Sequence, residues 1–324
     1  MVRRTGMIFA ALAVAALGTT PAAADRYPSR PVTMVVPFAA GGPLDTLARM
    51  MSAGLGAELG QNVIIENQAG AGGSTGVGHV VRATADGYTL CIGNWSTHVV
   101  NGSVYSLPYD LVADMAPVAL LTSNPQLIVA RKSMPAQNLQ DLTAWLKANR
   151  ANLGSAGVGS ASHASGLFLQ QRAGVQVSFV HHKGGGPALQ DVVAGHLDLM
   201  FDQSSTSLPH VREGSLRAYA VTSKGRLAVA PEIPTVDEAG LPGFYISVWN
   251  GVWAPKGTPA DVVSRLNAAI NRTLDDPMLS QKLMALGQDL PGREQRSPEA
   301  LAALQRTEIE KWAPIIRSAN VKPN

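Results

Sequence analysis

The residues in this sequence best placed to do chemistry are its glycines. Four glycine-rich segments stand just ahead of helical stretches: Ala39 to Asp45, Gly70 to Gly78, Gly154 to His163, and Lys183 to Pro187. A helix start exposes unpaired backbone N–H groups and a partial positive charge. Glycine lets a ligand approach that backbone closely. An anion held there needs converging amides rather than Arg or Lys, and these segments carry little charge. The alternative is that each glycine run only makes a tight strand–helix turn. Phosphate fingerprints are absent: none of the four segments reads G-x-G-x-x-G, and G-x-x-x-x-G-K-[ST] occurs nowhere.

One segment imitates an enzyme. Gly72-Gly73-Ser74-Thr75-Gly76 matches the G-x-S-x-G nucleophile elbow, and His182-Lys183-Gly184-Gly185-Gly186 resembles an oxyanion-hole segment. The elbow requires a sharp turn directly from strand to helix. The nearest strand ends near Glu66, several residues too early, which argues against catalysis by Ser74. The seven His residues show neither H-x₃-H nor HExxH spacing, and Cys91 is the only cysteine. A metal site, an internal disulfide and a cofactor are therefore not expected. Cys91 lies in the apolar run Tyr88-Thr89-Leu90-Cys91-Ile92 and reads as a buried strand residue.

The elements that position these glycines alternate. Val32 to Pro37 is a β-branched strand. After Gly41-Gly42-Pro43, the residues Leu44, Leu47, Ala48, Met51 and Leu55 recur at helical spacing, with Pro43 suited to the first helical position. Val63 to Glu66 and Thr89 to Gly93 are strands, with a small-residue helix near Val80 to Ala83 between them. The pattern restarts with a strand at Leu127 to Ala130 and a helix at Leu139 to Asn149. A turn at Asn152 to Ser155 then leads into a helix carrying Ala161, Ala164, Leu167 and Phe168. Strands follow at Val177 to Val180, Leu197 to Phe201 and Ala218 to Thr222. A late strand, Trp249 to Ala254, precedes three C-terminal helices, each with Pro near its start. The expected fold class is α/β: two domains with mostly parallel sheets flanked by helices, a cleft between them. Domain 1 is expected over 25–125 and 245–324, and domain 2 over 126–244.

The 324 residues suit two cores of about 150 residues each. At 46% hydrophobic and 15% charged, the chain has the composition of a folded protein. The net charge is +3, and removal of Arg3 and Arg4 with a leader would bring it to +1. That balance, with no basic run, argues against nucleic acid or a membrane surface as partner. Residues 1–24 read as a signal peptide: Arg3-Arg4, an apolar run from Met7 to Leu17, and Ala22-Ala23-Ala24 as the cleavage site. An oxidising compartment, the periplasm, follows. The run is shorter than the roughly 20 residues needed to span a bilayer.

Whole-chain motifs add a resemblance. Tyr27-Pro28-Ser29-Arg30-Pro31-Val32 is followed by Val36-Pro37-Phe38-Ala39-Ala40-Gly41-Gly42-Pro43 and Asp45. Glu66-Asn67 precedes Gly70-Ala71-Gly72-Gly73, then come Asp86-Gly87-Tyr88-Thr89-Leu90 and Leu107-Pro108-Tyr109-Asp110. Gly154-Ser155-Ala156-Gly157, Ser162-His163, Lys183-Gly184-Gly185-Gly186-Pro187-Ala188, Pro234-Thr235-Val236, Glu238-Ala239-Gly240 and Ala254-Pro255-Lys256-Gly257-Thr258-Pro259 complete the series. In number and order these resemble the extracytoplasmic solute receptors of tripartite tricarboxylate transporters, the Bug receptors. The resemblance implies a Venus-flytrap fold and a ligand carboxylate gripped by two loops, one from each domain. It also implies membrane transporter subunits as partners. Mapped here, the first loop supplies Phe38, Ala40, Gly41, Gly42, Leu44 and Asp45. The second supplies Ser155, Ala156, Gly157, Ser160, Ser162 and His163. Lys183, Gly184, Gly185 and Asp202 would line the second domain's side, and Asn94, Trp95, Thr97 and His98 would face the variable end of the ligand.

The chain departs from the family pattern at Leu44, at His182 and at Gln203-Ser204-Ser205. Leu44 and Trp95 either favour an apolar or aromatic acid or simply pack in a core. Asp202 either accepts a hydrogen bond from a ligand donor or a water, or caps the helix after Phe201. The expected activity is capture of a di-, tri- or aromatic carboxylate by a monomer through hinge closure, without catalysis. A periplasmic sensor that serves a signalling partner is the competing role.

Overall fold

The computed structural model describes residues 27–318; the expected signal peptide lies outside them. Strand β1 (Val32–Val36) leads through Gly41, which is left-handed at φ +80, into α1 (Pro43–Leu59). Then come β2 (Val63–Asn67), a 3₁₀ turn at Ala71–Gly73, α2 (Ser74–Val81), β3 (Thr89–Asn94), a π-helical turn at Ser96–Val100 and α3 (Asn101–Val104). The chain continues as β4 (Met115–Arg131), α4 (Leu139–Ala148), β5 (Asn152–Ser155), α5 (Ala161–Ala173), β6 (Ser178–His181), α6 (Gly185–Val193), β7 (Leu199–Gln203), α7 (Ser204–Arg212) and β8 (Leu216–Val221). It closes with β9 (Ser247–Pro255), α8 (Ala260–Asp275), α9 (Pro277–Ala285) and α10 (Pro298–Ser318).

The strands run in the order β2-β1-β3-β9-β4-β7-β5-β6, with β8 also on β4. Parallel pairings (β1 with β2 and β3, β5 with β6 and β7) occupy the two ends, as the β-loop-α alternation implies. Antiparallel pairings involve the two long strands β4 and β9 that join those ends. β4 changes partners along its length. Met115 to Pro125 pair with β9, while Gln126 to Ala130 pair with β7. It therefore begins twelve residues before the strand expected at Leu127. Pro117 and Pro125 hid it, since proline interrupts a strand reading, and the register shifts between Pro117 and Ala119.

Each half of the sheet is covered on both faces. In the first, Val32, Met34, Val36, Leu90 and Ile92 pack under Leu47, Met51 and Leu55 of α1 and Leu266 and Ile270 of α8. Val35 and Cys91 point to the other face, against Val77, Val80, Trp95 and Trp253. Cys91 is thus a fully buried strand residue, and burial pushes its thiol far above its usual range. In the second half, Ile128, Leu153 and Phe201 pack under α4 and α5, while Leu127, Val129 and Met200 meet Ala188, Leu189 and Val192 of α6. Alternation along β4 decides which cluster each residue joins. Full burial of each such side chain contributes about 1.5–3 kcal/mol.

Candidate ligand-binding site

Between the halves lies a small cavity. It sits at the carboxyl ends of the parallel strands, where open α/β sheets hold ligands. Four helix starts meet there: Gly42 to Asp45 of α1, Ser160 to Ser162 of α5, Gly185 of α6, and Asp202-Gln203 ahead of α7. Phe38, Asn94, Ser96, Gln126, Ala156, Met200 and Phe201 complete the wall, and no Lys, Arg or His is among the lining residues. Helices α1, α6 and α7 carry no side-chain cap. α5 has Ser160, whose Oγ accepts from the His163 N–H at 3.4 Å. The N–H groups of Leu44, Asp45, Ala161, Ser162 and Gly185 have no acceptor within the protein among the described residues.

Side-chain donors join them. The Asn94 amide oxygen accepts from Ser96 N–H (3.1 Å), Ser96 Oγ (2.8 Å) and Thr97 N–H (3.2 Å), which leaves its NH₂ without a protein acceptor among the described residues. The Gln126 amide oxygen is held by Ser165 Oγ, leaving its NH₂ likewise. Donors with a positive helix-end field, and no fixed cation, make a site for a small anion.

The two aspartates on the wall differ. Asp45 is 3% exposed, yet both its oxygens are engaged. Oδ2 accepts from Gly41 N–H and Arg49 Nε, each at 2.9 Å, and Oδ1 from Asn67 Nδ2 at 2.9 Å. Burial pushes its carboxyl up, but the hydrogen bonds from Arg49, Gly41 and Asn67 outweigh that and hold it below the usual range. Asn67 also donates to Phe38 O at 3.0 Å, so this cluster fixes the first loop. Asp45 therefore pins the loop through its side chain and offers the cavity its backbone N–H. Asp202 has no cation partner among the described residues. Burial pushes its carboxyl up to about 7, against smaller opposing hydrogen bonds led by Thr206. It does not cap α7, whose N-cap is Gln203.

Of the expected site residues, Phe38, Gly42, Leu44, Asp45, Ala156, Ser160, Ser162, Gly185, Asp202 and Asn94 line this cavity. The others are placed elsewhere. Ala39 N–H donates to Lys183 O at 2.9 Å, joining the loop that carries Ala40 and Gly41 to the segment before α6. A Cβ on Gly184 would meet Ala39 N at 2.9 Å, which is why glycine stands there. Gly157 and Lys183 line a second crevice with Gly70 to Gly73, Tyr105, His181 and His182. Ser155 Oγ bonds His181 Nδ1 at 2.6 Å. His163 Nδ1 accepts from Gly159 N–H at 3.1 Å, and burial, with His181 nearby, pushes its pKa down to about 4. Ala156, Gly157 and Gly159 all give their N–H groups to side chains of their own loop. The second loop's free donors on the cavity wall are therefore at Ala161 and Ser162.

Three of the four residues expected at the variable end turn away. Trp95 packs edge-on against Trp312, ring centroids 5.0 Å apart. His98 stacks on Trp253 at 3.6 Å, and burial pushes its pKa down to about 3. Thr97 Oγ1 bonds His98 Nδ1 at 2.9 Å and donates to Asn94 O at 3.0 Å. The π-helical turn after β3 is the reason: it sends these side chains into the core and leaves Ser96 on the wall. Ser96, Gln126 and Gln203 were missed. Buried polar residues beside strand ends were the available signal. Ser74 starts α2, and its Oγ accepts from Asn101 Nδ2 at 3.0 Å. Among the described residues no histidine bonds it.

The model of the tripartite tricarboxylate transporter family receptor matches residues 47–321. The chain belongs to this family. The receptor-like motifs from Glu66 onward lie within the matched stretch. The structure of the periplasmic binding protein BugD is similar at TM-score 0.89 and 37% identity, covering 92% of this chain and 100% of that one. MatC from Rhodopseudomonas palustris, solved with bound malate, is similar at TM-score 0.86 and 42% identity, covering 90% and 100%. Rpa4515 from the same organism, solved with adipate, is similar at TM-score 0.87 and 33% identity, covering 92% and 100%. The fold is that of periplasmic binding proteins, and this chain is a solute-binding receptor of that family.

Proposed function

We propose that this receptor captures a small dicarboxylate in the cavity between its halves and passes it to membrane subunits of a tripartite transporter. The observation that carries this reading is the meeting of four helix starts on one cavity wall without a lysine, arginine or histidine. Malate and adipate, held by MatC and Rpa4515, are both dicarboxylates. We take 25–125 with 245–324 as one domain and 126–244 as the other, closing about the β4–β9 crossing. Leader removal after Ala24 would deliver a monomer to the periplasm, and the role is binding rather than catalysis. Each hydrogen bond to a charged group contributes about 1.5–3 kcal/mol. A few of these, less the cost of ordering the partners, give a Kd on the order of 1 μM.

A thermal-shift screen of the mature chain against malate, succinate, adipate, citrate, benzoate and glucose tests the reading. A ligand at about 100 times its Kd adds about 2.7 kcal/mol of stability. The expected result is a raised Tm with at least one dicarboxylate. If glucose raises it and no acid does, the reading is wrong.

A further inference from the structure

Asp202 is an anomaly in a site built for anions. It lies on the cavity wall, is 3% exposed, and has no cationic partner among the described residues. Its surroundings offer none from any side. α1 brings Asp45, a second carboxylate, whose oxygens are held by Arg49, Gly41 and Asn67. α5 brings Ser160 and Ser162, while its His163 turns to Phe179 and His181 at ring distances of 4.6 and 4.8 Å. α6 brings the backbone of Gly185, α7 the hydroxyl of Thr206, which donates to Asp202 Oδ2 at 2.5 Å, and β4 the neutral Gln126 and Leu127. A dicarboxylate dianion entering this cavity beside an ionised Asp202 would place three negative charges together, opposed only by backbone dipoles and neutral amides. Like charges this close in a dry site disfavour ionisation of one member. The group able to give way is Asp202. The ligand enters from water, where carboxyl groups ionise near pH 4. Asp202 instead is already buried and half-way to neutrality at about pH 7.

We propose that the receptor takes up one proton with its ligand, held by Asp202 as a hydrogen bond from its carboxyl O–H to a ligand carboxylate oxygen. The proton comes from solvent, and no other bond forms or breaks. Asp202 thereby joins the donors of the site, and the captured unit is a dianion plus one proton. This rests on the dicarboxylate reading above. It differs from the sequence-based expectation that Asp202 accepts from a ligand donor or a water, in which the carboxylate stays charged.

Titration calorimetry of the mature receptor with malate, succinate and adipate separates these. Measurements at pH 6.5 to 8.5, in two buffers of different ionisation enthalpy, use ligands that are mostly dianionic at the lowest pH and fully so above about pH 7.5. The expected result is uptake of close to one proton per ligand at pH 8 and a Kd that weakens about tenfold per pH unit above pH 7. Asp202→Asn keeps a donor and removes the titration. It is expected to show no proton uptake, a flat Kd, and tighter binding than the unaltered receptor at pH 8.5. Should Asp202→Asn fail to fold, the buffer dependence of the unaltered receptor decides alone. Binding without proton uptake and with a flat Kd overturns the proposal and leaves the dicarboxylate reading standing. No binding of any of the three acids, even at pH 6.5, overturns that reading and this proposal with it.

Discussion

Gly186, in the first turn of α6, offers a direct test of whether capture needs the halves as close as they stand here. An ideal Cβ at this position would lie 2.7 Å from Gly41 C, 2.8 Å from Ala40 O and 2.9 Å from Gly42 N. All three atoms are backbone, and all belong to the first loop across the cavity. Ordinary contact needs about 3.4 Å or more, so Gly186→Ala must push the loops apart by roughly half an ångström or more. Two losses follow. The Ala39 N–H to Lys183 O bond, 2.9 Å across the same seam, is worth about 0.5–1.5 kcal/mol. At least one charge-assisted bond from the ligand to one side is lost or lengthened, about 1.5–3 kcal/mol. Together these weaken Kd by roughly 30-fold to 2,000-fold. Gly186 does not have a left-handed φ, so alanine is tolerated within α6 and removes unfolded-state freedom. Calorimetry with malate should show the loss of affinity, while the Tm of the ligand-free protein falls by no more than the loss of the one seam hydrogen bond entails, about 0.5–1.5 kcal/mol. Gly225→Ala, at a glycine with nothing within 4 Å, is the control. Binding by Gly186→Ala within threefold of the unaltered receptor would refute the argument that capture requires this close approach.

Asp45→Asn removes the carboxylate that holds Gly41, Arg49 and Asn67, and should cost about 1–3 kcal/mol of stability and weaken ligand binding. The carboxyl is held below its ordinary value, so its contribution is present above pH 3.8 and disappears as pH falls through the lower folded value. Denaturant melts of both proteins should therefore diverge at pH 7 and converge in strong acid. Trp95→Phe should lower stability by about 1–3 kcal/mol through lost packing on Trp312, yet leave the malate-to-adipate affinity ratio unchanged in paired titrations. Asn94→Asp replaces a free NH₂ donor on the wall by an acceptor, and should weaken malate binding tenfold or more by the same assay. Ser74→Ala should lose about 1 kcal/mol with its Asn101 bond, bind malate normally, and match the unaltered chain in any ester hydrolysis assay.

The sequence disclosed the backbone part of the site more fully than its side chains. Gly42-Pro43 and Ser160-x-x-His163 announce helix starts through local rules of glycine, proline and capping, which depend on residues within one turn. α1, α5 and α6 therefore stand where those rules put them. Gln126 was not legible because it lies where β4 changes partners, a non-local event behind Pro125. At the end of β3, Asn94 lies on the wall as expected, but the next wall residue is Ser96 rather than Trp95, Thr97 or His98. A π-helical turn rotates Trp95, Thr97 and His98 inward, and nothing in their types distinguishes it from an α-helical start. The position of Asp202 was expected, but the upward push on its carboxyl comes from burial that only three-dimensional packing sets.

The helix starts on this wall have a consequence for heredity. A grip made by an arginine disappears with one codon change, whereas a grip made by peptide N–H groups is encoded by no particular side chain. Most substitutions on this wall leave the amides of Leu44, Ala161 and Gly185 in place while altering the shape and polarity that Asn94, Ser96, Gln126 and Gln203 present. If the proposed amide grip holds the ligand, such substitutions would change which acid fits while leaving the donors that hold it in place.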